Sequence, residues 1–454
     1  MLSTIHRFVW GAPALVLILG VGLLLTLRLG FVQLTLFPRA CRLFLSKLRP
    51  HREEGGVSSF QALCTALAAT VGTGNLVGVA GALCLGGAGA IFWMWICGIL
   101  GMATKYAEVT LAVRYRVKTA EGWAGGPMYV ITRGLGSRFR PLAKVYSLFG
   151  LFAAFGVGNA TQISAVLSSS RGLLKNLGIR TGTPGDLLLG LALAILVGAM
   201  LLGGARRIGA VAEGLVPLLS AAYILLCAGV LIRYWQRLPD AFAAIVRGAF
   251  CPRAVTGGML GSAFQSLCTG CSRGVFTNEA GMGTASIAHA AAEVDHPAQQ
   301  GLMGIMEVFL DTIVICTLTA LVILVSGVPI PYGIDAGAAL TGAAFATVYG
   351  SAAQWFLTGA LICFALATVL GWGLYGGRCA EFLFGSRGWR CFALAQTAVV
   401  VAASCLRGDA LWLLAEILNG LMAIPNLLAL ALLTPEVAAL TREYRRRPGF
   451  DGIR

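Results

Sequence analysis

Charge is scarce in this sequence. Only 12% of its 454 residues are Asp, Glu, Lys or Arg, against about a quarter in soluble domains. With 57% hydrophobic residues, and several apolar runs longer than the roughly 18 residues that mark a spanning helix, this deficit excludes an ordinary soluble fold. The chain reads as a polytopic membrane protein. Histidine is rarer still, at four, too few to suggest haem or a histidine-built metal centre. Thirteen cysteines form no disulfide framework, because most of them, such as Cys64, Cys97, Cys227, Cys316 and Cys363, sit inside apolar runs. Cys268 and Cys271 form C-x-x-C, but no second pair or histidine follows at zinc spacing. There is no P-loop, so an ATP-driven pump is disfavoured. Gly72, Gly74 and Gly78 miss G-x-G-x-x-G by one place and follow no strand. No Ser/His/Asp arrangement stands out, and no enzyme chemistry or organic cofactor is expected. His289 and His296, with Glu293 and Asp295, read as a solvated loop.

The formal charge of +15 suggests nucleic acid only in a soluble protein. Here the basic residues fall between apolar runs, where membrane topology accounts for them. Eleven spans can be drawn, at about 11–37, 57–83, 88–113, 142–170, 185–203, 208–233, 255–289, 300–327, 351–383, 389–406 and 410–433. The first run is too long for a signal peptide and is kept as a helix. Lys and Arg are concentrated in 38–56, 114–141, 204–207, 378–390 and 434–454. Arg233, Arg237, Arg247 and Arg253 break the pattern around the sixth connection. The balance places the N-terminus outside and the C-terminus inside a cell (inner) membrane, with the lipid bilayer as the chain's surroundings and no nucleic-acid partner. The segment 239–250 reads as a short amphipathic surface helix, and 331–350 as an outer loop with helical pieces.

What the chain does have is glycine and small polar residues inside two long apolar segments. From Phe60 the first reads F-Q-A-L-C-T-A-L-A-A-T-V-G-T-G-N, interrupted by Thr70, Gly72, Thr73, Gly74 and Asn75. A broken helix in lipid leaves amides and carbonyls unpaired, at several kcal/mol each, unless protein or a polar cavity meets them. The second segment, 255–289, is expected to break at Ser266–Gly270. Five spans separate the starts of the two segments, so they enter the membrane from opposite sides. That is the mark of two inverted five-helix repeats, about 57–233 and 255–433. Residues 1–56 then form an extra helix with a basic loop, 234–254 an outer connection, and 434–454 a basic tail. The fold class expected is all-α, with about 11 spans, a five-plus-five inverted-repeat core and two discontinuous helices.

Each break presents a half-helix N-terminus that favours a carboxylate. The half-helix ending near Thr70 presents carbonyls suited to a small cation. Asn159 and Gln162 share one helix face, as candidates for substrate or cation contact or for helix–helix bonding. Thr368 and Trp372 share another, Thr368 as a cation hydroxyl or bonded to its own helix carbonyl, Trp372 as a pocket wall or as packing. Embedded ionisable groups are functional candidates. Glu279 reads as a gate residue with Arg273 as a candidate partner, Glu307 and Asp311 as a proton path, and Glu213 and Glu416 lie near helix ends.

The chain resembles the alanine or glycine:cation symporter family. The resemblance rests on the string from Phe60, F-W-M-W from Phe92, G-G-P-M-Y from Gly125, F-T-N-E-A-G-M-G from Phe276 and, more loosely, G-W-G-L-Y-G-G from Gly371. It implies sodium-coupled, sometimes proton-coupled, symport of alanine or glycine by alternating access, with a small neutral amino acid and a monovalent cation as partners. It further implies that amides at Thr73 and Gly74 hold the substrate carboxylate and that Phe264, Ser266 and Thr269 face its amino group and side chain. Gln162, Trp372 and Asn159 would line the pocket. Sodium would lie among Thr70, Val71, Asn75 and Thr368, with no other metal. The chain departs from the family at Ala367, where a hydroxyl residue is usual, at Gly377, where glutamate often stands, and at Ala88 within the usual G-G-P-G-A. Sodium and proton coupling both stay open, as does a non-cycling amino-acid sensor or channel.

Overall fold

The structure, a computed structural model, describes residues 8–48, 56–119, 122–176, 178, 182–250, 259–334, 337–405 and 409–447. The start of the second repeat at 255, together with Arg49, Arg52, Arg253 and Arg454 of the basic count, lies outside them. The described chain is helical apart from a short antiparallel pair, Val117–Thr119 with Gly122–Ala124.

Each of the eleven segments drawn from sequence carries helix. Among the described residues, eight single helices are long and apolar enough to cross a membrane, and the bent pair starting at Ser59 makes a ninth. The other two are the shorter apolar helix Pro13–Arg28 and the more polar helix Met259–Asn278. The amphipathic segment is the helix Leu238–Phe250. The last span continues into the basic tail as one helix, Asp409–Arg446. An alanine-rich helix, Gly337–Tyr349, lies against the first broken helix, where buried Thr341 donates to Leu76 O at 2.7 Å.

The first broken helix begins with a capping box. Ser58 Oγ accepts from Gln61 N at 3.0 Å and Gln61 Oε1 accepts from Ser58 N at 3.1 Å, satisfying two orphan donors reciprocally. Ser59–Thr70 then stops at Val71, whose backbone is extended. The chain resumes at Gly74 through a π-helical turn, Gly74–Gly78, bent 49° from the first half. Asn75 makes the bend self-supporting, because its Oδ1 accepts from Gly72 N at 2.9 Å.

The second break falls later than its glycine pattern suggests. Ser266–Gly270 lies inside the continuous helix Met259–Asn278, and helix resumes only at Thr284–His289. Gly270 is a packing glycine. A Cβ there would run into Ala90 O and Trp93 on the helix Gly89–Arg114. The break itself is Glu279–Gly283, with left-handed φ of +52° at Glu279, +97° at Gly281 and +79° at Gly283. A positive φ at a non-glycine residue is costly and held only by its surroundings. Here Glu108, from the Gly89–Arg114 helix, accepts from Gly281 N at 2.9 Å, Gly283 N at 3.1 Å and Asn426 Nδ2 at 2.7 Å.

Two further π-helical turns interrupt long helices beside the breaks, at Gly156–Ala160 and Phe309–Cys316. Such turns re-aim side chains and are frequent at functional sites.

Candidate functional site

The first broken helix borders a small cavity of about 30 Å³. Ala69, Thr70, Gly72, Thr73 and Gly74 form one wall, and Val157 and Gln162 a second. Thr368 and Trp372 complete it, with Phe276 and Glu279 from the second break and Asn419 from the last helix. Residues from both halves therefore meet at one point.

The polarity of this cavity is divided. On one side the half-helix beginning at Gly74 starts at the cavity wall, and its first N–H groups have no partner within the helix. On the other side two buried amide oxygens, Gln162 Oε1 and Asn419 Oδ1, have no hydrogen-bond partner. Gln162 is fixed by its other end, since Nε2 donates to Val157 O at 3.2 Å, inside the π-helical turn. Unmet acceptors cost about 1–3 kcal/mol each when buried, so a ligand that donates there and accepts from the amides opposite would relieve both. Trp372, 1% exposed, packs on Gly158, where a Cβ would collide with the indole.

Thr368 Oγ1 donates to Ala68 O on the facing broken helix at 3.1 Å. Its hydroxyl thus lies against the carbonyl end of the Ser59–Thr70 half-helix, where carbonyls lack intrahelical partners. Val71 is buried and does not line the cavity. Asn75 also stands behind the wall: besides holding Gly72, it donates to Asp311 Oδ1 at 2.8 Å and Cys316 Sγ at 3.3 Å. Asp311 further accepts from Thr312 Oγ1 at 3.0 Å.

Other sequence candidates lie elsewhere. Asn159 is fully buried, donates to Gln396 O at 2.9 Å and joins helices rather than facing the cavity. Phe264 is 60% exposed on the outer face of its helix. Ser266 is buried, away from the cavity, and its hydroxyl has no partner. Thr269 and Arg273 line a separate, larger cavity of about 280 Å³ on the far side of Phe276. Arg273 and Glu279 therefore face different spaces. Four cavity residues, Ala69, Val157, Phe276 and Asn419, went unassigned from sequence. Phe276 opens the F-T-N-E string, and Asn419 is an amide in an apolar run, a signal for a bundle-facing position.

Behind the cavity lies a buried ionic cluster. Lys105 Nζ is 3.4 Å from Glu307 Oε1 and 4.0 Å from Glu108 Oε2. Gln300 Nε2 donates to His289 Nδ1 at 2.8 Å, so the ring's other nitrogen carries the proton that reaches Glu307 Oε2 at 3.0 Å. Ser59 Oγ closes the chain on Gln300 Oε1. Glu279, which lines the cavity, accepts from Thr284 Oγ1 at 2.6 Å. The two broken helices meet on this face, where Val57 bridges Ala292 and its carbonyl accepts from Glu293 N at 3.0 Å. His289 is thus a buried member of the cluster rather than a loop residue. His296 caps the helix Pro297–Val308, its Nδ1 accepting from Ala298 N at 3.1 Å.

Two discontinuous helices converging on a small, polarity-divided cavity inside a helical bundle define a secondary transporter. The same fold occurs in the crystal structure of MhsT in complex with L-phenylalanine, with a TM-score of 0.58 at 14% identity, covering 86% of this chain and 99% of that one. The chain belongs to the sodium:alanine symporter family, whose profile matches residues 1–449. It is 42% identical over 449 residues to the sodium/alanine symporter AgcS of Methanococcus maripaludis, covering 98% of this chain and 96% of that one. An uncharacterized transporter of Haemophilus influenzae is 43% identical over 451 residues, with the same coverage of 98% and 96%.

Proposed function

We propose that the protein carries alanine or glycine into the cell together with sodium, by alternating access around the small cavity. The observation that carries this reading is the divided polarity of the wall. The half-helix N-terminus at Thr73 and Gly74 suits a carboxylate, and the unmet oxygens of Gln162 and Asn419 suit an ammonium. A zwitterion answers both, and Glu279 adds a buried carboxyl to the same wall. The cavity's 30 Å³ and the indole of Trp372 favour the smallest side chains. One added methylene shifts selectivity by only about 1–3 kcal/mol, so alanine and glycine share the proposal. In this reading sodium would bind at the carbonyl end of Ser59–Thr70, a site supported by the Thr368 hydroxyl lying against Ala68 O, while Asn75 holds the bend from behind.

We read the larger cavity and the ionic cluster as lying towards opposite faces of the bundle. The distribution of Lys and Arg among the connections favours the cluster's face as the inner one. That face is closed by the meeting of the broken helices, and the other is separated from the cavity by the Phe276 side chain.

A second reading, proton coupling, has one observation in its favour. Of the three acidic candidates, only Glu279 lines the cavity, whereas Glu307 and Asp311 are engaged behind it. Uptake of labelled alanine into proteoliposomes under an inward sodium or an inward proton gradient separates the two. Sodium-driven uptake is expected, with the sodium concentration for half-maximal rate raised at least tenfold in Thr368→Ala. Uptake that ignores sodium, follows the proton gradient and is lost in Glu279→Gln transfers the coupling to Glu279. Exchange of labelled for unlabelled alanine across the membrane excludes a sensor.

A further inference from the structure

The arginines that break the topological pattern around the sixth connection gather at one corner of the bundle. The helix Gly204–Arg233 carries Arg206 and Arg207 near its start and ends on Arg233, roughly 40 Å away at 1.5 Å per residue. That distance is enough to cross the hydrocarbon layer. Arg237 follows one turn later, and both guanidinia pack on the ring of Tyr234, at 5.6 Å and 5.0 Å from its centroid. The ring holds two positive charges together. Arg237 is fixed further by donating to Val325 O at 2.9 Å. Both arginines are exposed, and neither has a carboxylate partner among the described residues. Apolar surface adjoins them. Leu218, Leu225 and Ile232 recur every seven residues on the same helix and are all exposed. Two heptads drift only about 40° around a helix, so the three form one stripe that ends beside Arg233. Trp235 is exposed just beyond it. The helix Leu238–Phe250 then buries Ala241, Ile245 and Ala249 and exposes Phe242, Val246 and Phe250 at four-residue spacing, as a helix resting in a membrane interface does.

We propose that this corner binds an anionic phospholipid of the leaflet remote from Arg206 and Arg207, with its phosphate at Arg233 and Arg237 and an acyl chain along Ile232, Leu225 and Leu218. Charge complementarity selects the occupant. Two guanidinia without a carboxylate, at the end of an apolar stripe, fit a molecule with a negative charge at one end and hydrocarbon at the other. Phosphatidylglycerol has that form, whereas phosphatidylcholine sets a cation beside its phosphate. Arginine presents paired donors that match phosphate oxygens. Basic residues here run against the bias that collects Lys and Arg on one side of a membrane, and a bound anionic headgroup offsets that charge. The contact also has a structural consequence. Residues 234–254 connect the two halves of the chain, and Arg237 ties the end of Gly204–Arg233 to the helix Thr317–Ser326 through Val325. The headgroup thereby anchors that connection at the interface.

The test is lipid binding to the purified full-length protein in detergent, read by native mass spectrometry. Dioleoylphosphatidylglycerol should bind about tenfold or more tightly than dioleoylphosphatidylcholine, since each arginine beside an anionic headgroup is worth about fivefold. Arg233→Gln leaves the Arg237–Val325 bond in place. It should weaken phosphatidylglycerol by about fivefold and phosphatidylcholine hardly at all, with an unchanged melt in lipid-free detergent reporting that the variant is folded. Changing both Arg233 and Arg237 to Gln should abolish the preference. A second measurement needs no variant. Dihexanoylphosphatidylglycerol, whose chains are too short to follow the stripe, should bind the wild type more than about tenfold more weakly. Equal affinity for the two chain lengths, or for the two headgroups, would overturn the proposal. So would a loss in Arg207→Gln with none in Arg233→Gln, which would put the lipid at the other end of the helix. Displacement of the lipid by inorganic phosphate at comparable concentration would assign the arginines to a free anion and overturn it as well.

Discussion

The two broken helices solve one problem with different resources. The first carries its own support: Asn75, three residues past Gly72, accepts from the exposed amide of the bend. The second borrows its support. Gly281 and Gly283 give their amides to Glu108, more than 170 residues earlier in the chain. The first break uses a neutral amide with spare donors, which it directs to Asp311. The second uses a carboxylate that also belongs to the ionic cluster with Lys105. A locally capped break is a property of its segment, whereas a remotely capped one is a property of the bundle. The difference suits alternating access, because movement between the Gly89–Arg114 helix and the second break must change the Glu108 bonds. No such constraint acts on Asn75 and Gly72.

The largest expected effect therefore comes from Glu108→Ala. It strands three buried donors and leaves Lys105 with one fewer carboxylate, at about 3–5 kcal/mol. Thermal unfolding in detergent should drop sharply and alanine uptake should be lost, while Glu108→Gln, which keeps an acceptor oxygen, should recover most of the stability. Next comes Gly283→Ala. Its φ of +79° disfavours a side chain, and the new Cβ would collide with Pro127 and crowd Asn426. Strain and overpacking together are worth about 2–4 kcal/mol, read in the same melt. Asn75→Ala should cost less, about 1–3 kcal/mol, since it removes the acceptor of the Gly72 amide and the donor to Asp311 Oδ1, while Asp311 Oδ2 keeps Thr312. Its uptake should fall more than its stability, because the bend it holds forms the cavity wall. If Asn75→Ala proves as destabilising as Glu108→Ala, the contrast between local and remote support is wrong. Phe264→Ala should do least, within about 0.5 kcal/mol and with unchanged alanine affinity, because the ring is 60% exposed. A tenfold loss of affinity there would place substrate against the outer half of Met259–Asn278 instead.

The same contrast explains what was legible beforehand. Thr70, Thr73, Gly74, Gln162, Thr368 and Trp372 line one cavity, each lying at a break or on a polar helix face within its own segment, and Glu279, read from sequence as a gate residue, lines it too. The second break was displaced because Gly270 looks like a helix breaker and is in fact a contact with Ala90. Nothing within 255–289 distinguishes the two kinds of glycine. Asn159 and Gln162 share a face, yet only Gln162 reaches the cavity. A π-helical turn at Gly156–Ala160 rotates the register between them and their neighbours.

By itself the sequence determined the membrane class, the eleven helical segments, the doubling of the core and the self-capped first break. These follow from hydropathy, glycine placement and contacts within a few residues. Tertiary structure alone decided where the second helix breaks, which amide oxygens are left unmet, and which charges gather behind the cavity. Each of those depends on a partner supplied by a different helix. In a medium that offers no water to satisfy a buried polar group, the partner's position settles where the chain can afford to open.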